Sequence, residues 1–183
     1  TTLFRSNGQQ QFCQHAGEYN RPGMAEYVVW HESQIYKLPD NVSLKEGCLL
    51  EPTAIATRMM DRMNPKVGNR VAICGGGPIG LLALQTVKIY GATSLTLIEP
   101  VAERREMALS FGADYVIDPS TQNVVAEAMR ITGGLGFDVV LDASGAAKAV
   151  GDLPIITAKG GTLIYGAMYP GDFEMPLNLF KYC

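Results

Sequence analysis

The run Gly75-Gly76-Gly77-Pro78-Ile79-Gly80 constrains this chain more than any other feature, because a β-like stretch, Arg70-Val71-Ala72-Ile73-Cys74, leads into it and a strongly helical one leaves it. Gly75, Gly77 and Gly80 match G-x-G-x-x-G. That spacing is weak alone and gains force when a strand precedes it, a helix follows it and an acidic residue closes the next strand. All three conditions hold here. Gly75 is expected to turn the chain tightly, Gly77 to let a pyrophosphate approach the backbone, and Gly80 to let the helix press against the strand. The helix N-terminus then aims unpaired N–H groups and a partial positive charge at the phosphates.

Beyond the glycines, Ile79, Leu82, Ala83, Thr86, Val87 and Tyr90 recur at near-helical spacing, and Leu81, Leu84 and Ile89 make the other surface apolar, so the helix is expected to be largely covered. Gly91 stops it. Ser94-Leu95-Thr96-Leu97-Ile98 reads as a second buried parallel strand ending at Glu99. A carboxylate about twenty positions past the last glycine can take both hydroxyls of an adenosine ribose. Glu99 therefore favours NAD, since the 2′-phosphate of NADP would meet a like charge at close range. Arg104 and Arg105 stand nearby, and either is able to answer a phosphate. The other reading of Glu99 is a solvated carboxylate at a strand end.

The alternation continues. Tyr115-Val116-Ile117 is expected as a third strand, Pro119-Ser120 to open a helix closed by Gly133-Gly134, and Phe137 to Asp142 to form a fourth strand. A further helix is expected from about Ala146, shortened or kinked at Pro154, and a fifth strand from Thr162 to Tyr165 after Gly160-Gly161. Strict β/α alternation predicts an α/β fold, a doubly wound parallel sheet of the Rossmann kind, with ligands at the carboxyl ends of its strands. Those ends are Gly75 to Gly80, Glu99, Ala143-Ser144-Gly145 and Gly166-Ala167.

Earlier in the chain the pattern differs: Met24 to Trp30 and Gln34 to Leu38 read as two short β segments without a sheet of their own. A helix capped at Ser43, with Glu46 at its third position, is expected to run to about Met63 and to close at Pro65. The expected division is thus a β-rich remnant over 1–44 and a nucleotide-binding domain over 45–183.

The 183 residues, 47% of them hydrophobic, suffice for one well-buried domain and part of another. A net charge of −3 provides no basic field for nucleic acid. No apolar run has the length of a bilayer span, and Thr1 to Gln14 lacks the apolar core of a signal peptide, so a cytoplasmic protein without membrane or nucleic-acid partners is expected. The four cysteines, Cys13, Cys48, Cys74 and Cys183, are scattered without paired spacing, and Cys74 is expected as a small core residue.

Several separately placed segments resemble the zinc-dependent medium-chain dehydrogenases, in particular their sorbitol, threonine and butanediol dehydrogenase branch. The carriers are Gly23 to Tyr27, Tyr36 to Ser43, Leu50-Glu51-Pro52, Gly76 to Gly80, Glu103-Arg104-Arg105, Phe111 to Asp114, Asp142 to Gly145 and Gly160 to Leu163. The resemblance implies an NAD-binding Rossmann domain joined to a β-rich, GroES-like catalytic unit, with a catalytic zinc in the cleft and hydride transfer from a secondary alcohol or polyol. It implies that Gly77, Pro78 and Ile79 hold the diphosphate, Glu99 and Arg104 the adenosine ribose, and backbone near Ala143, Ser144, Gly166 and Ala167 the nicotinamide half. Ser144 alternatively caps its helix. Glu51 matches the position of a carboxylate that binds the metal or holds its water; read without the resemblance, it is a charged surface residue.

The family's first zinc ligands, a Cys and a His-Glu pair, lie upstream of the segment matched by Met24, and Cys13 with His15 is a poor substitute. Met175 to Phe180 resembles the segment before the family's sixth strand. The chain is accordingly expected to be an internal piece of a longer dehydrogenase with an incomplete zinc site and little turnover, and to associate with itself as a homo-oligomer through an open edge at the fifth strand. Two alternatives stand beside this: a non-catalytic NAD(H)-binding or sensing module, and a zinc-free reductase using NADPH.

Overall fold

The computed structural model describes residues 24–30, 32 and 35–169. The chain divides into two compact units, Thr1–Leu44 and Lys45–Cys183. In the first unit, the two expected β segments do not form among the described residues: 24–30 and 35–38 carry no strand. No described neighbour accepts their ladder hydrogen bonds, and Met24, Tyr27, Val29 and Tyr36 stand exposed. Gln34, Cys13, His15 and Met175 to Phe180 lie outside the described residues.

The long helix expected from Ser43 is instead two, α1 (Leu44–Gly47) and α2 (Leu50–Met63). Between them the Leu49 N–H returns to the Glu46 carbonyl at 3.0 Å, a tight turn that ends the first helix. Asn64, in the left-handed region at φ 44°, closes α2 one residue before Pro65.

The second unit then alternates strictly: β1 (Arg70–Cys74), α3 (Pro78–Ile89), β2 (Ser94–Ile98), α4 (Ala102–Ser110), β3 (Tyr115–Ile117), α5 (Val124–Thr132), β4 (Phe137–Asp142), the short α6 (Ala147–Val150) and α7 (Leu153–Ile156), and β5 (Thr157–Tyr165). The strands form a five-stranded sheet in the order β3-β2-β1-β4-β5, with every pair parallel. Such a sheet needs cover on both faces, and the strand residues divide accordingly. Val71, Ile73, Leu95, Leu97, Val139 and Leu141 join Met60 and Met63 of α2, Leu84 and Val87 of α3 and Ala108 of α4 in one core. Ala72, Cys74, Ile98, Ile117 and Val140 join Ala128 of α5 and Leu153 and Ile156 of α7 in the other. Each fully buried aliphatic side chain contributes about 1.5–3 kcal/mol, so this two-sided burial is what holds the sheet.

Three local expectations are corrected. Helix α5 begins at an Asn123 cap, whose side chain accepts the Ala126 N–H at 2.9 Å, and not at Pro119-Ser120. Asp118 captures the Ser120 N–H and the Gln122 side chain captures the Asp118 N–H, making a turn that competes with helix there. Around Pro154 the expected helix is split into α6 and α7, with Pro154 in the first turn of α7, where its missing N–H costs nothing. Strand β5 starts at Thr157 rather than Thr162, because a register shift against β4 and Gly160 at φ +75° absorb the Gly160-Gly161 irregularity within one strand.

From β1 the chain runs to β2 and β3 on one side and, after crossing back, to β4 and β5 on the other. The order reverses between β1 and β4, where their carboxyl ends lie side by side, Cys74 opposite Asp142. That switch point is where a parallel sheet opens a crevice.

Candidate functional site

The glycine turn emerges from β1 into that crevice. Gly75 has φ +100°, and a β-carbon there would come within 2.8 Å of the Ser144 backbone. A β-carbon at Gly80 would strike the Gly75 carbonyl oxygen at 1.9 Å, so α3 meets the turn more closely than any side chain allows. Gly77 is different: its backbone is ordinary, and a β-carbon would meet nothing within 4 Å. It faces open space at the head of α3, with Pro78 in the first turn. Gly76, the unspecified position of the motif, is also confined, since a β-carbon would lie 3.0 Å from Glu99 Cγ and 3.2 Å from Leu97 Cδ2.

Glu99 follows the last residue of β2 and is only 3% exposed. Its Oε2 accepts the Gly76 N–H at 2.6 Å and its Oε1 the Val101 N–H at 2.9 Å. A carboxylate has about four acceptor sites, so each oxygen keeps one. The solvated strand-end carboxylate is thus not what forms. The two arginines have separate tasks. Arg105 donates through Nη1 to the Glu99 and Pro100 carbonyls, both at 2.7 Å, and its Nη2 lies 3.0 Å from Asp118, so it is spent on joining the ends of β2 and β3. Arg104 is half exposed, with Nη1 3.8 Å from Glu99 Oε2.

These groups border a cleft of about 960 Å³ whose walls include Gly75, Gly77, Glu99, Val101, Arg104, Asn123, Ala143 and Ser144. Its volume and mixed lining suit a nucleotide-sized ligand. A smaller polar cavity of about 460 Å³ lies at the other end of the sheet among Arg62, Lys66, Asp138 and Lys159.

At the ends of β4 and β5 the turns press together. The Ala143 N–H donates to the Cys74 carbonyl at 2.8 Å and the Gly166 N–H to the Asp142 carbonyl at 2.9 Å. A β-carbon on Gly145 would reach the Met168 carbonyl at 2.7 Å, and one on Gly166 would reach Met59 of α2 at 2.7 Å. Ser144 does not cap α6, whose cap residue is Ala146 without a side-chain bond. It donates instead to Asp142 Oδ1 at 2.6 Å and accepts the Ala146 N–H at 3.1 Å. Cys74 is a buried core residue, as expected, and its thiol also reaches Ser144 Oγ at 3.7 Å. Burial pushes that thiol up to about 12, so it stays a protonated donor. Asp142 and Tyr169, which carry these contacts, were not among the expected site residues; an Asp closing the apolar run Val139 to Leu141 was the available signal.

A sequence profile of zinc-binding dehydrogenases matches residues 78–182, more than half of the chain. The chain belongs to the zinc-binding dehydrogenases. It is 38% identical over 93% of its length to an L-threonine 3-dehydrogenase of Pyrococcus horikoshii, of which it covers 50%. To a protein named as a D-xylulose reductase A of Aspergillus fumigatus it is 33% identical over 84% of its length, covering 44% of that protein. A candidate zinc-binding dehydrogenase from Sinorhizobium meliloti, solved bound to NADP, superposes with a TM-score of 0.74 at 32% identity, over 79% of this chain and 43% of that one. This zinc-binding dehydrogenase chain spans about half the length of the curated relatives it matches. The doubly wound Rossmann architecture expected from the sequence is the family's own.

Among the described residues, no group of three or more His, Cys, Asp and Glu is placed to hold an ion. Glu51 stands exposed in the first turn of α2. No described helix is long and apolar enough to cross a membrane.

Proposed function

We propose that this chain is the NAD-binding part of a zinc-assisted dehydrogenase that oxidises a secondary alcohol or polyol by hydride transfer. The observation that carries the reading is the buried Glu99 carboxylate, held by two backbone N–H groups at the rim of the cleft that Gly77 leaves open. Relatives named for L-threonine and D-xylulose support the substrate class.

The residues fit a dinucleotide. Gly77, Pro78 and Ile79 bound the open space at the start of α3, where unpaired helix N–H groups favour a diphosphate. Glu99, with one free acceptor site on each oxygen, and the half-exposed Arg104 take the adenosine ribose. Backbone at Ala143, Ser144, Gly166 and Ala167 seats the nicotinamide half. When bound, the nicotinamide supplies the hydride acceptor. Glu51 is this chain's proposed contribution to the zinc, as a ligand or as a holder of its water, with the other ligands outside the described residues.

Preference for NAD rests on charge. A 2′-phosphate would bring negative charge against a carboxylate that burial keeps poorly screened, whereas the ribose hydroxyl donates to it. Calorimetric titration with NADH and NADPH tests the reading. NADH is expected to bind at least about tenfold more tightly, a difference of one modest electrostatic contact. Tighter NADPH binding overturns the cofactor assignment, and no binding of either at millimolar concentration overturns the oxidoreductase reading.

Strand β5 forms an edge of the described sheet. We propose that a homo-oligomer forms by addition of a strand at this edge, and a strictly monomeric sedimentation profile at high concentration counts against it.

A further inference from the structure

Asp142, the last residue of β4, has no exposed surface. A buried carboxylate persists only when its oxygens are satisfied. Oδ1 accepts both the Ser144 N–H at 2.9 Å and the Ser144 hydroxyl at 2.6 Å. Oδ2 accepts the phenolic O–H of Tyr169, which lies 27 positions further along the chain. The Tyr169 ring stands edge-on to Tyr165, with centroids 6.4 Å apart and planes at 69°. Burial and the adjacent Asp142 both raise the Tyr169 phenol well above its ordinary range, so it remains a donor at any physiological pH.

The segment that leaves β5 is therefore fastened twice to one residue. Its first member, Gly166, donates its N–H to the Asp142 carbonyl at 2.9 Å. Its last described member, Tyr169, donates its side chain to the Asp142 carboxylate. Between them, the Met168 carbonyl abuts Gly145, where an added β-carbon would lie 2.7 Å from the carbonyl oxygen. Through Ser144, the same carboxylate is connected to Cys74, the residue before the glycine turn.

We propose that Tyr169 is a positioning residue: by anchoring on Asp142 it sets the 166–169 segment as the wall for the nicotinamide half of the dinucleotide, leaving the adenosine and phosphate half untouched. This rests on the proposed binding of NAD in the crevice. The adenosine half lies along β1, β2 and α5, and its residues Gly77, Glu99 and Arg104 have no contact with Tyr169 among the interactions described above.

The test compares two ligands on the full chain and on Tyr169→Phe, which keeps the ring and removes the donor. NADH reports both halves of the site; ADP reports only the adenosine and phosphate half. In the variant the NADH Kd is expected to rise about tenfold, the loss of one hydrogen bond to a charged group. The ADP Kd is expected to stay within about twofold, because nothing on its side has moved. A purely structural role would lower the melting temperature and shift both ligands together or neither. An equal shift of both, or of neither, overturns the proposal.

Hydrogen exchange of the unaltered chain covers the case in which the variant does not fold. Saturating NADH is expected to slow exchange of the 166–169 amides beyond what ADP produces. Equal protection by the two overturns the proposal. If the unaltered chain binds neither ligand at millimolar concentration, the dinucleotide reading falls and takes this one with it. Binding with an unchanged ratio removes only the role of Tyr169.

Discussion

Glu99 Oε2 accepts the Gly76 N–H at 2.6 Å while Oε1 accepts the Val101 N–H at 2.9 Å, so one side chain ties the glycine turn of the first strand to the exit of the second. Glu99→Gln tests this fork. An amide has one acceptor oxygen, so its NH₂ must face one of the two backbone donors. With the residue 3% exposed, a cost of about 1–3 kcal/mol is expected for the donor left without an acceptor, read by urea unfolding. Removal of the charge is expected to narrow or abolish the preference for NADH over NADPH in calorimetry.

The motif glycines should separate into two classes. Gly80→Ala places a β-carbon 1.9 Å from the Gly75 carbonyl oxygen, a clash that only backbone movement relieves, and several kcal/mol of destabilisation are expected. Gly77→Ala meets nothing within 4 Å and needs no unusual φ, so only the weaker capping of α3 by Ala is expected to cost stability, no more than about 1 kcal/mol. Its methyl group nevertheless enters the space assigned to the diphosphate. Loss of NADH affinity with a melting temperature lowered by no more than a few degrees is the expected signature, and full retention of affinity would show that the ligand does not pass there.

Arg70 and Asp138 join the starts of β1 and β4 at the opposite end of the sheet. Arg70 Nε and Nη2 each donate to the Asp138 carboxylate at 3.0 Å, and the Arg70 N–H adds a bond at 2.8 Å. Hydrogen bonding to Arg70 holds the Asp138 carboxyl below its ordinary value of 3.8. A depressed folded-state pKa contributes stability that is present above the unfolded value and is lost as pH falls through the folded one. Asp138→Asn is expected to cost about 1.5–3 kcal/mol at pH 7, and its stability should fall less than the parent's as pH drops below about 4. Urea midpoints at several pH values check both the size and the sign.

Thr96 sits in the middle of β2 with no exposed surface, and its hydroxyl has no hydrogen-bond partner among the described residues. Burying a hydroxyl without a partner costs free energy that a methyl group of the same shape does not. Thr96→Val is expected to stabilise the chain by about 1 kcal/mol, with NADH affinity unchanged. A destabilised variant would mean that the hydroxyl is satisfied after all.

Most strand positions were legible from composition and spacing alone. Val71 to Cys74 and Val139 to Leu141 are continuous apolar runs, broken in Leu95 to Ile98 only by Thr96, and a parallel sheet covered on both faces buries such runs completely. Helix boundaries were less legible. At Ser120 a local Asx turn prevailed over helix, and near Leu49 a tight turn divided what periodicity reads as one helix. Such contests are decided by a few hydrogen bonds that residue type alone does not reveal.

The sequence by itself determined the alternation of strands and helices, the glycine turn and the acidic residue at the end of the second strand, because each follows from local sterics and hydrophobic period. Tertiary structure alone decided that Arg105 is spent on Asp118 while Arg104 faces the cleft, that Gly76 packs tightly against Glu99 and Leu97, and that Asp142 gathers Ser144 and Tyr169. Those outcomes depend on which strand ends become neighbours in the parallel sheet. Contacts between residues so far apart in the chain exist only once the crossovers have closed.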